Sequence, residues 1–154
     1  MNKMKVKIKK LHPNAVIPAY AKAGDAGMDL TAVSREFDVY GNIHYGTGLA
    51  FEIPEGYVGL IFPRSSICKE QLLLSNAVGV IDSGYRGEVS FKFKPSLAYN
   101  SCECATSHPI HEIYKVGDRI GQIIIMPYPQ IEFEEVEELS ETERGTEGYG
   151  SSGA

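Results

Sequence analysis

Cysteine is scarce in this chain. There are three, Cys68, Cys102 and Cys104, and an odd, sparse set makes no disulfide framework and fits a reducing compartment. No long hydrophobic run is present. Met1 to Lys10 interleaves lysine with single apolar residues, so it is no signal peptide, and no segment is long enough to span a bilayer. A soluble, cytoplasmic protein is expected. An excess of positive charge is missing too. The net charge is −5, which argues against nucleic acid as a partner, because phosphate neutralisation needs a basic surface. An anionic substrate would need a local basic pocket. Uninterrupted helical windows are also rare, since 16 glycines and 8 prolines punctuate the chain at short intervals.

What lies between those breaks reads as strands. Lys5 to Leu11 alternates lysine with Val6 and Ile8, the pattern of a strand with one wet face. Gly48 to Ile53, Tyr57 to Phe62, Val89 to Phe93 and Ile120 to Met126 follow. Val89, Phe91 and Phe93 alternate with Ser90, Lys92 and Lys94, and Ile123 to Met126 is continuous, as in a strand buried on both faces. Many short strands with turn signals predict a single all-β domain, a sandwich or barrel, with one short helix over Ser65 to Leu73. Lys94 to Tyr114 is long, polar and irregular and reads as an inserted loop. Ile131 to Glu143 reads as a solvated acidic strand, and Arg144 to Ala154 as a glycine- and serine-rich tail.

Chemistry concentrates at Gly79 to Glu88. The apolar run Ala77 to Ile81 delivers Asp82 into a Ser83–Gly84 turn, Tyr85 follows, and Val89 to Phe93 returns, which predicts a β-hairpin with a carboxylate at its tip. A carboxylate at a rigid corner beside an aromatic can activate water near a ring-bearing substrate. Pro63-Arg64-Ser65-Ser66 at a strand end offers a guanidinium fork and two hydroxyls to phosphate oxygens, or a plain turn with a serine helix cap. Asp29 is a turn carboxylate or a partner for an arginine. Gln122 opens an apolar run, where its amide needs a backbone or ligand partner. Gly145 to Gly150 has P-loop spacing, but Ser151 stands where the lysine belongs and no strand-then-helix context surrounds it. A flexible phosphate-binding flap stays open there. Cys102, Cys104, His108 and His111 match no common zinc-finger spacing, and a surface loop or subunit contact is the better reading.

Taken in order, these segments resemble the five motifs of the trimeric dUTP diphosphatases: Ala26 to Leu30, Pro63 to Ser66, Asn76 to Gly87, Gly117 to Gln122 and Arg144 to Gly153. The resemblance spans nearly the whole chain. It implies a jelly-roll β-sandwich over residues 1–143 with a flap over 144–154, in a homotrimer whose active sites each draw on three subunits. It implies hydrolysis of dUTP to dUMP and pyrophosphate, which keeps uracil out of DNA and supplies dUMP for thymidylate synthesis. Mg²⁺ would be held by the triphosphate and water, with no direct protein ligand. By the same resemblance Asp82 activates the water that attacks the α-phosphorus, and Tyr85 packs on the deoxyribose. Asn76 and the hairpin main chain from Val80 and Ile81 to Glu88 read uracil. Arg64, Ser65, Ser66 and Gln122 hold phosphates, with Asp29 behind them. Arg144, Ser151 and Ser152 close over the γ-phosphate, and Tyr149 stacks on the base.

Three departures stand out. Tyr149 replaces the family's usual phenylalanine, Glu147 sits where glycine is common, and Lys94 to Tyr114 is extra. The dCTP deaminases share the fold but carry a catalytic glutamate where Lys92 stands by an ungapped count. An inactive dUTP-binding regulator is the third reading, against which Asp82 and Arg144 argue.

Overall fold

A computed structural model describes residues 4–70, 72–95 and 113–147. The expectations for Cys102, Cys104, His108, His111, Tyr149, Ser151 and Ser152 fall outside the described residues. Ten strands are described: β1 (Lys7–Lys10), β2 (Met28–Thr31), β3 (Ser34–Phe37), β4 (Ile43–Gly46), β5 (Leu49–Glu52), β6 (Tyr57–Phe62), β7 (Leu72–Leu74), β8 (Gly79–Ile81), β9 (Ser90–Pro95) and β10 (Arg119–Pro127). All described pairings are antiparallel. One sheet has the order β2-β10-β6-β8, a second β3-β4-β9-β7, and β1 pairs with β5. The all-β expectation holds.

Side-chain alternation builds the core. Phe91 and Phe93 are fully buried while Lys92 and Lys94 point outward, as the period-two pattern requires. Tyr45 meets Phe93 edge-on with centroids 5.9 Å apart, and Phe91 stacks on Phe93 at 5.9 Å. Leu30, Ile120 and Ile123 are fully buried in the same cluster. Burial pushes the Tyr45 phenol up to about 12, so it stays a neutral donor to the Tyr114 carbonyl at 2.8 Å.

Several expectations need correction. The stretch around Asp82 is no hairpin: β8 pairs with β6, whereas β9 pairs with β4 and β7 in the other sheet. The chain beyond the turn is captured by the β4–β5 segment, where the Val89 N–H donates to the Leu49 carbonyl at 2.8 Å and Thr47 Oγ1 donates to the Val89 carbonyl at 2.6 Å. Ser65 to Leu73 is not one helix. A 3₁₀ turn covers Ser65–Lys69, and strand β7 buries Leu72 and Leu74 while exposing Leu73. Ile123 to Met126 is not buried on both faces in the single chain, since Ile123 is buried but Met126 is 44% exposed. Ile131 to Glu143 forms no strand and is exposed throughout. At the described ends of the segment read as an inserted loop, Lys94 and Pro95 close β9, and Tyr114 is buried in the core.

Candidate active site

The candidate residues fall into two groups. The first gathers where β2, β10 and β6 lie side by side. Gln122 on β10 stands opposite both Asp29 on β2 and Phe62 on β6. Phe62 leads into Pro63 and Arg64, and Arg64 Nε donates to Asp29 Oδ1 at 2.9 Å. Arg119 Nη1 donates to Asp29 Oδ2 at 3.0 Å, so one carboxylate is braced by two guanidinium groups. The Gln122 amide donates from Nε2 to the Pro63 carbonyl at 3.0 Å, which gives it a backbone partner. Its other end lies over Gly27, where a Cβ would stand 2.4 Å from Oε1. Glycine leaves the Gln122 amide undisturbed there, and a groove lined by Gly27, Asp29 and Gln122 opens beside it.

Arg64, rather than a serine, occupies the cap position of the 3₁₀ turn, and no side chain caps it. Ser65 is exposed and Ser66 half-buried, with Ser66 Oγ 3.5 Å from Arg64 Nη1. Two hydroxyls and an arginine fork thus share one strand end, a set suited to anionic oxygens.

The second group lies on the free edge of the same sheet. Asp82 leaves β8 into a turn closed by the Tyr85 N–H on the Asp82 carbonyl at 3.1 Å. Arg86 Nη1 braces that turn by donating to the Ser83 carbonyl at 2.6 Å and the Tyr85 carbonyl at 2.9 Å. Val80, Ile81, Asp82, Tyr85, Glu88 and Ser90 line one cavity. Among the described residues β8 is the outermost strand in the sheet order, and Val80 is 61% exposed. Asn76 sits in the turn before β8, its Nδ2 3.5 Å from where a Gly79 Cβ would be.

One chain keeps the two groups apart. Asp82 leaves the sheet next to Ile81, which faces Gly59, whereas Gln122 and Asp29 stand level with Phe62. From Gly59 to Phe62 is about 10 Å along the strand. Arg144 belongs to neither group here. It is exposed, and its Nε donates to the Glu147 carbonyl at 3.1 Å.

Sequence reasoning missed three residues of this construction. Arg119, the brace on Asp29, and Arg86, the brace on the turn, lie in segments read for other residues. The Glu88 side chain has its partner outside its own segment, since the Gly48 N–H it accepts from at 2.6 Å lies 40 residues away. Lys92 points to solvent on β9, 3.6 Å from Asp38, and brings no carboxylate of its own.

An arginine and two hydroxyls at one strand end, with a carboxylate–aromatic pair on the same all-β scaffold, are groups that a nucleotide hydrolase needs. The chain belongs to the dUTPase family, whose model matches residues 13–153. The deoxyuridine 5'-triphosphate nucleotidohydrolase of Nautilia profundicola is 45% identical over 152 residues, covering 97% of this chain and 99% of that protein. The dUTPase of Staphylococcus bacteriophage 80alpha, solved with dUPNHPP, superposes with a TM-score of 0.80 at 29% identity, covering 99% of this chain and 100% of that one. A variant dUTPase from phage phi11 of S. aureus, whose structure reveals details of the coordination of a structural Mg(II) ion, superposes with a TM-score of 0.69 at 28% identity, covering 88% of this chain and 98% of that one.

Proposed function

We propose that this chain, like relatives named deoxyuridine 5'-triphosphate nucleotidohydrolases, hydrolyses dUTP, and that the products are dUMP and pyrophosphate. The observation that carries the reading is Asp82 and Tyr85 lining one cavity beside β8, the outermost strand of its sheet among the described residues. Backbone N–H and C=O groups around Val80 and Ile81, with the Asn76 amide, can pair with the polar edge of uracil. Tyr85 packs against the sugar where a 2′-hydroxyl would need room. Asp82 takes a proton from a water, whose oxygen then bonds to the α-phosphorus while the bond to the bridging oxygen breaks and pyrophosphate leaves. Phosphoryl transfer demands positioning and charge neutralisation above all. Arg64, Ser65, Ser66 and Gln122 supply it, with Asp29 holding Arg64 in place.

We read the site as shared between copies, and the separation of the two groups supports that reading. A second copy must bring its arginine end to the Asp82 cavity of the first, and a closed ring of three copies on a jelly-roll-type sandwich satisfies every copy alike. The 144–154 tail then closes over the γ-phosphate through Arg144, Ser151 and Ser152, with Tyr149 on the base. Magnesium fits as a passenger of the triphosphate. Among the described residues no three His, Cys, Asp or Glu side chains converge, and both oxygens of Asp29 already serve arginines. Mg²⁺ keeps its waters readily and favours substrate phosphates, whose charge it neutralises when bound.

A panel of dUTP, dTTP, dCTP and UTP with Mg²⁺, followed by product chromatography, tests the reading. Pyrophosphate and dUMP from dUTP alone are expected. Intact dUTP, or dCTP converted to dUTP, would overturn it.

A further inference from the structure

We infer that Gly87 and Glu88 fix the position of the Tyr85 ring and so set how strictly a 2′-hydroxyl is excluded; this rests on the sugar role proposed above for Tyr85. The ring folds back over its own chain. A Cβ at Gly87 would stand 2.3 Å from Tyr85 Oη and 2.5 Å from Cζ, closer than atoms can approach, so the absent side chain is the seat of the ring. The hydroxyl donates to the Glu88 carbonyl at 3.1 Å. Tyr85 is 46% exposed, and a half-exposed tyrosine without such a seat would sample other rotamers.

Glu88 is in turn held firmly. The Gly48 N–H donates to Glu88 Oε1 at 2.6 Å. The next residue, Val89, is buried and tied from both sides: its N–H donates to the Leu49 carbonyl, and its carbonyl accepts from Thr47 Oγ1 at 2.6 Å and from the Thr47 N–H at 3.3 Å. Thr47 is itself fully buried. The carbonyl that holds the Tyr85 hydroxyl is therefore anchored to the β4–β5 segment, while Asp82 is anchored to β8. The spacing between carboxylate and sugar contact is set across the two sheets, and Gly87 and Glu88 are the positioning residues on the ring's side.

Gly87→Ala is a clean probe. The position has no left-handed φ, so alanine is tolerated by the backbone, and the new methyl meets only the far end of a flexible side chain. The ring moves and the fold stays. The measurement is kcat/KM for dUTP and for UTP with Mg²⁺ on the full chain, beside the thermal midpoint. Gly87→Ala is expected to lower the dUTP/UTP ratio by about tenfold or more, since displacements near 1 Å at a reacting geometry cost up to about a hundredfold. Glu88→Ala should lower the ratio by less, and Glu88→Gln, which keeps an acceptor for the Gly48 N–H, should restore most of it. A merely structural role would lower turnover of both nucleotides together and leave the ratio alone. If Gly87→Ala does not fold, the Glu88 pair decides by the same ratio. A wild-type preference for dUTP with an unchanged ratio in Gly87→Ala and Glu88→Ala would overturn this inference alone. Wild-type turnover of UTP as fast as dUTP would overturn the sugar role and the inference together.

Discussion

The two ends of the β2-β10-β6-β8 sheet are stabilised in opposite ways. At the Phe62 end, side chains hold side chains: Arg64 and Arg119 converge on Asp29, and Gln122 reaches across to the Pro63 carbonyl. At the β8 end, the contacts run to main chain, with the Tyr85 hydroxyl on the Glu88 carbonyl and Arg86 on the Ser83 and Tyr85 carbonyls. The first arrangement is suited to holding mobile negative charge, because paired arginines keep spare N–H donors. The second is suited to reading shape, because a main-chain frame leaves little freedom to the groups it carries. An enzyme that must grip a triphosphate and discriminate a nucleoside needs both.

The largest expected effects separate the ends by chemistry. Asp82→Asn should lower turnover roughly 10²–10⁴-fold, the usual contribution of a positioned general base, while dUTP binding by calorimetry persists. Arg64→Ala should also cripple turnover but weaken dUTP binding, because it removes charge from the phosphate end. Mixing the two inactive variants after dissociation and reassociation sharpens the comparison further. If each site takes its β8 end from one copy and its arginine end from another, some mixed sites carry neither substitution, and activity returns. Mixed assemblies that remain as inactive as their parents would show that both ends of a site come from one chain.

The tail offers the next largest effect. Residues 128–147 are exposed, and Arg144 is engaged by the Glu147 carbonyl rather than by either end of the sheet. Removing 144–154 should leave the thermal midpoint and the assembly size unchanged. It should lower kcat/KM for dUTP by about a hundredfold, the scale on which loss of a closing, orienting element acts. Unchanged turnover in the shortened chain would confine catalysis to the two sheet ends and remove the flap from the account.

How legible each end was in the sequence follows from the same contrast. Period-two alternation over Val89 to Phe93 survives folding because each residue answers to its own face of the sheet. The continuous run Ile123 to Met126 misleads, because apolar surface exposed in one chain carries the same letters as apolar surface in a core. Arg64, Gln122 and Asp29 were legible as polar residues at strand ends, where a partner or ligand is needed. The turn at Asp82 was legible as a turn but not as a step between sheets. Local turn signals fix chain reversal, whereas pairing partners depend on Leu49 and Thr47, some forty residues upstream. Glu88 was hidden for the same reason.

The smallest effect tests whether the side-chain end depends on charge in the way the main-chain end does not. The Asp29–Arg119 pair is part-exposed, with Arg119 57% and Asp29 27% accessible. Arg119→Gln should therefore cost only about 0.2–1 kcal/mol of stability. That loss should shrink in 1 M salt, where the Debye length falls to about 3 Å. Arg86→Gln acts on carbonyl acceptors that carry no net charge, so its cost should change far less with salt. Denaturant melts of both variants at low and high ionic strength make the test. Equal salt dependence in the two would mean that the ends differ in geometry only, and that the arginines around Asp29 are a scaffold rather than a reserve of charge for the triphosphate.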